Sequence, residues 1–221
     1  MKKLQIFLVI LVVTTSGFWG GCKGDDTVAP TVYVTSIKDN QLPDSTAGWL
    51  YFSFDTETVI PATQANTDAW DIKFRFIAND TTPAGINNFV KIFTSSGPIF
   101  LNSPNVGNPT GKTKGYVLDS TFATVSYAGE DSKFRSDDST VSTRIISNQL
   151  GGPNAFFIYD GASRTVSTNP SKTLMIQTKG GKYVKMQLSS LYQGKPVPPT
   201  SASVVGYYSF NYVKSNTKTL K

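Results

Sequence analysis

The chain has 221 residues, with 21 Lys and Arg against 15 Asp and Glu, and it contains no histidine. The missing histidine excludes His-based general acid–base catalysis, Ser-His-Asp triads and His-ligated zinc together. The net charge of +6 is spread thinly, with no basic run interleaved with aromatics, so nothing marks a nucleic-acid partner.

Lys2 and Lys3 form a short positive start, and residues 4–13 form an almost continuous apolar run. That run is too short to span a bilayer and has the layout of a secretory signal. Gly20 and Gly21 then lead into Cys22, the one cysteine, which has no disulfide partner. A lone cysteine after an apolar run and two glycines resembles a bacterial lipoprotein processing site. The resemblance implies removal of residues 1–21 and acylation of Cys22, which anchors the chain to a membrane without spanning it. Trp19 stands where such sites usually carry a small aliphatic residue, and a plain secretory signal cleaved near Gly20 or Gly21 is the alternative reading. Lys23-Gly24-Asp25-Asp26 resembles the short acidic signal that sends Bacteroidetes lipoproteins to the outer face of the outer membrane. Residues 22–31 also read as a solvated tether, because small and charged residues bury too little apolar surface to order themselves.

Residues 22–221 then comprise 200 residues carrying 19 Lys and Arg and 15 acids, a net +4. This is ample to bury a core, and all-β domains of this size are often undivided. Period-two alternation dominates, and helical periodicity is nearly absent. Residues 49–54 read as a strand with Leu50, Phe52 and Phe54 opposite Trp49, Tyr51 and Ser53. Trp70, Ile72, Phe74 and Phe76 are expected on one face of the next strand, with Asp71, Lys73 and Arg75 on the other.

Clusters of Gly, Pro, Asn and Ser at 83–88, 95–98 and 102–115 divide the middle into short strands and long loops. Asp25-Asp26 and Asp137-Asp138 lack calcium-loop spacing and read as solvated loop doublets. Residues 174–178 and 182–188 form the clearest hairpin, with Gly180 and Gly181 expected to supply positive φ at its turn. The 193–203 stretch reads as a stiff exposed connector, and residues 207–213 as a strand that closes a sheet. The expected fold is one all-β antiparallel domain over residues 32–221. Without histidine or free thiol, and with only Glu57 and Glu130 beside the aspartates, no catalytic or metal constellation emerges, and the chain reads as a non-enzyme.

Two segments carry a resemblance to the HmuY-like haem-binding surface lipoproteins of Bacteroidetes. One is Trp49-Leu50-Tyr51-Phe52-Ser53-Phe54 with Val59 and Trp70-Asp71-Ile72-Lys73-Phe74-Arg75-Phe76. The other is Thr178-Lys179-Gly180-Gly181-Lys182-Tyr183-Val184-Lys185, with Tyr192 and Tyr208-Ser209-Phe210-Asn211-Tyr212. The order and spacing match over most of residues 49–213, and weakly over 85–148. The resemblance implies an all-β fold, haem as cofactor, and delivery to an outer-membrane haem receptor from a lipid-anchored position at the cell surface.

In the founding members of the family two histidines hold the iron, and this chain offers none. One ligand position falls near Asp160, a poor haem ligand, and the other within 129–134; neither role transfers. The candidate ligands are therefore Tyr159, whose phenolate can hold haem iron, and Met175, since some members appear with methionine. Met186 shares a strand face with Val184 and Leu188 and reads as core. Lys133 and Arg164 are candidates for pairing with propionates. The alternative function is a surface lipoprotein that kept the fold, lost haem and binds another ligand or a receptor component. Asp followed by Ser or Thr, as in Asp119-Ser120-Thr121 and Asp138-Ser139-Thr140, resembles the O-glycosylation acceptor of Bacteroidetes exported proteins and is equally a common turn pair.

Overall fold

The alternating stretches become strands in the computed structural model, which describes residues 33–37, 47–77, 97–147, 150–151 and 155–221. The signal, Cys22 and the tether lie outside the described residues.

A four-stranded antiparallel sheet runs in the order β3 (Thr58–Ile60), β2 (Ala47–Ser53), β4 (Ile72–Ile77) and β5 (Ile99–Leu101). A six-stranded sheet runs β1 (Tyr33–Ile37), β12 (Val205–Ser215), β11 (Tyr183–Tyr192), β10 (Lys172–Gln177), β6 (Lys114–Asp119) and β7 (Arg135–Ser136). A separate hairpin pairs β8 (Phe157–Asp160) with β9 (Thr165–Thr168). The protein is all-β and antiparallel. The C-terminal strand β12 does not close its sheet, because β1 pairs along its free edge from Tyr33↔Tyr212 to Ile37↔Tyr208.

The main core lies between the two sheets. Leu50, Phe52 and Phe54, with Ile72 and Phe74, meet Tyr208, Phe210 and Tyr212. Phe52 and Phe210 meet edge to face at 5.4 Å, Phe54 and Tyr212 at 5.1 Å, and Phe74 stacks on Phe210 at 5.5 Å. Such pairs each add about 0.5–1.5 kcal/mol beyond the area they bury. Strand alternation sends the intervening residues of β10, β11 and β12 to the opposite face. There Met175 and Val213 form a second, smaller cluster with Val125, Ala128, Phe134 and Leu220. Both faces of the six-stranded sheet are thus partly covered, the second by residues 121–134 and the C-terminus, joined through Ala128 N–H to Lys218 O and Leu220 N–H to Ser126 O.

Three local expectations are corrected. Trp70 precedes β4, so its indole leaves the phase of Ile72 and Phe74; it packs edge-on against Tyr51 at 5.0 Å and donates to Ala65 O. At the β10–β11 turn only Gly181 has positive φ, +80°, while Gly180 is needed for a close approach. Its N–H donates to Asp55, and a Cβ there would lie 2.7 Å from the Asp55 carboxylate. Asp137 is fully buried rather than solvated, because its carboxylate accepts the backbone N–H of Leu101 (2.9 Å), Ile145 (2.8 Å) and Asp138 (2.9 Å).

Phe74→Ala empties the point where two β12 rings converge, and is expected to destabilise the fold by about 3–5 kcal/mol. Val197→Ala, at a side chain that is 95% exposed, is the matched control and leaves the urea midpoint unchanged.

Candidate functional site

The residues singled out from sequence fall into two places that do not meet. Tyr159 and Arg164 share the β8–β9 hairpin. Phe157 and Val166 anchor that hairpin in the main core, and Tyr192 Oη accepts the Val166 N–H at 2.8 Å. Tyr159 pairs in register with Val166, is half-buried and packs on the edge of the core. Among the described residues no hydrogen bond is made to its hydroxyl. Arg164 follows in the turn, exposed and at φ +53°. Asp160 is exposed and caps the same turn, accepting from Ala162 N–H and Ser163 Oγ.

Met175 and Lys133 belong to the other face of the six-stranded sheet. Met175 is fully buried in the second cluster, and Met186 is fully buried in the main core with Val184 and Leu188. Lys133 is exposed, with its amine 6.0 Å from the Tyr116 ring centroid. The sheet separates the Met175 sulfur from the Tyr159 hairpin, so the two do not form one ligand pair.

The structure also assembles a group that sequence reading did not single out. On the outer face of the four-stranded sheet, register places Trp49 beside Arg75, Tyr51 beside Lys73, and Lys73 beside Phe100. The Lys73 amine lies 4.7 Å from the Trp49 ring, 5.6 Å from Trp70 and 5.6 Å from Phe100. Arg75 lies over Trp49 at 5.0 Å, and Arg144 arrives from the 140s loop to lie over Phe100 at 5.4 Å. Each cation gains from the negative face of a ring.

Arg144 is held from several sides. Its Nη2 donates to Ser139 O at 2.6 Å, and the Arg135 guanidinium donates to the carbonyls of Thr143 and Arg144. Gly97 leaves the space it fills, since a Cβ there would sit 2.5 Å from Arg144 Nη1. Burial pushes the Lys73 amine down to about 8, with Arg75 adding to the shift and Asp137 opposing it. The alternation in 49–54 and 70–76 already sets Trp49, Tyr51, Lys73 and Arg75 opposite the core. Their pairing, and the arrival of Phe100 and Arg144, depend on register and loop course.

Elsewhere, Asn66, Thr67, Asp68 and residues 109–112 line a shallow cleft of about 400 Å³ with no aromatic wall.

No protein-family model matches the chain, and no curated protein matches it. Among solved structures it is similar to an apo HmuY analog from Tannerella forsythia, at 12% identity and TM-score 0.47, covering 86% of this chain and 99% of that one. It is also similar to an HmuY-like protein from Bacteroides vulgatus, at 14% identity and TM-score 0.42, covering 82% of this chain and 91% of that one. PinO from Porphyromonas gingivitis matches at 12% identity and TM-score 0.43, over 84% of this chain and 98% of its own. At this distance no residue's role is taken from them.

Lys73 gives a pH signature whose sign is fixed. Its folded value near 8 lies below the ordinary 10.5, so the unfolded chain holds the proton more tightly. The associated stability is present above 10.5 and lost as pH falls through about 8. Unfolding free energy is therefore expected to rise with pH across that window. Urea titrations at several pH values should show this slope in the native chain and a flatter one in Lys73→Met.

Proposed function

We propose that this chain is a lipid-anchored, non-enzymatic surface protein of the HmuY-like type that carries haem or a related tetrapyrrole, with Tyr159 as its iron ligand. Support for the family comes from the segments at 49–76 and 178–212, and support for the anchor from Cys22 behind the apolar run. The observation that carries the ligand choice is the contrast in access among the candidates. Both Met175 and Met186 are fully buried, whereas Tyr159 is half-buried with a hydroxyl that no described residue engages. A phenolate is a hard, anionic ligand suited to ferric haem. Arg164, on the same hairpin, is placed to pair with a propionate. The loaded protein would then hand its cargo to an outer-membrane receptor.

One observation favours the second reading, a fold-retaining surface protein that binds a different ligand or a receptor component. The chain lacks histidine, and both of its Met residues beyond the signal are committed to packing.

Haemin titration of the purified chain, followed by optical absorption in both iron oxidation states, separates the two. The haem reading expects a saturable one-to-one Soret band of the phenolate type, lost in Tyr159→Phe and kept in Met175→Leu. A broad, unsaturable spectrum matching an unrelated control protein rejects it and leaves the second reading.

A further inference from the structure

We infer that the cation–aromatic face of the four-stranded sheet, built from Lys73, Arg75 and Arg144 on Trp49, Trp70 and Phe100, is a binding site for an oxyanion group, a carboxylate or a phosphate. The site is separate from the Tyr159 hairpin and does not depend on haem.

Three cations gather around Phe100 and Trp49; the carboxylates that face them are Asp137, toward Lys73 and Arg144, and Asp138, toward Arg144. The Asp137 carboxylate is turned to the backbone, accepting from Leu101, Ile145 and Asp138. Two carboxylates against three cations offset the charge only in part. Asp138 also accepts the Thr140 N–H, and the further nearby charge is another cation, Arg135, committed to the carbonyls of Thr143 and Arg144.

Arg144 is 94% buried by its 6% exposure, yet among the described residues its Nε and Nη1 have no acceptor, and neither has the buried Nε of Arg75. A guanidinium N–H removed from water without an acceptor is costly, and most buried donors are satisfied. Guanidinium forks match the planar oxygens of carboxylate and phosphate, and in a desolvated setting such charge-assisted bonds are among the strongest available.

The aromatic rings, the Val106 carbonyl that accepts from Lys73 and the Ser139 carbonyl that accepts from Arg144 hold these cations in place, so little side-chain freedom remains to be lost on binding. Trp49, Lys73 and Arg75 are only half-buried, which leaves the group an approach from solvent.

The test uses the purified chain without haem, so its outcome is independent of the haemin experiment. Inorganic phosphate and citrate are titrated separately against sodium chloride at matched ionic strength. The readouts are the fluorescence of Trp49 and Trp70 and the titration of the Lys73 Cε resonance, assigned with Lys73→Arg. The expected result is a saturable fluorescence change with at least one of the two anions and an upward shift of the Lys73 titration from about 8. Affinity should fall about tenfold or more in Arg144→Gln. Response to phosphate alone assigns a phosphate group, and response to citrate alone a carboxylate. If Arg144→Gln does not fold, Arg75→Gln and the native Lys73 resonance serve in its place. Identical responses to both anions and chloride, or binding undiminished in the folded variants, would overturn the site.

Discussion

Where Phe52, Phe54 and Phe74 meet Tyr208, Phe210 and Tyr212, every ring but Tyr208, which meets Phe74, lies close to two or more others, with centroids from 4.9 to 6.2 Å apart. This seam joins the two sheets, and the rest of the architecture depends on it. Period-two geometry commits alternate residues of β2 and β4 to the seam, so the intervening ones must lie on the outer face. The same rule on β10 sends Leu174 and Ile176 inward and Met175 to the far side. A single packing constraint therefore decides which side chains are available for function.

Two buried carboxylates tie the loops to this frame. Asp71 accepts the Phe54 N–H at 2.7 Å and the hydroxyls of Ser53 and Thr113, pinning the β2–β3 turn to the loop before β6. Asp137 does the same for β5 and the 140s loop, and thereby delivers Arg144 to Phe100. Burial raises the proton affinity of both carboxylates, while backbone donors oppose the shift. Such groups are costly to bury alone, and their hydrogen bonds offset that cost only when every partner is in place.

The functional surface divides in the same way. The β8–β9 hairpin, the place proposed for haem, offers a phenol and an arginine at the margin of the core. The outer face of the four-stranded sheet offers guanidinium and ammonium groups on aromatic rings, suited to an anion. Neither place needs a histidine, and neither uses the sulfur of Met175 or Met186.

Much of this was legible in the residues themselves. Alternation in 49–54, 174–178, 182–188 and 207–213 identified strands and the inward faces of β2 and β11, because side-chain direction along a strand is a local property. The empty histidine count removed whole classes of chemistry without reference to any fold. Trp70 escaped the pattern because it stands one step before its strand, where phase no longer binds it. Asp137 looked like a solvated doublet because its acceptors' partners, Leu101 and Ile145, are distant in sequence or set by a loop. Composition and periodicity by themselves determined an all-β chain with defined inward faces. Only the tertiary structure decided that Trp49, Lys73, Phe100 and Arg144 come together and that Met175 does not meet Tyr159, since register and loop closure are set by contacts between residues far apart in the chain.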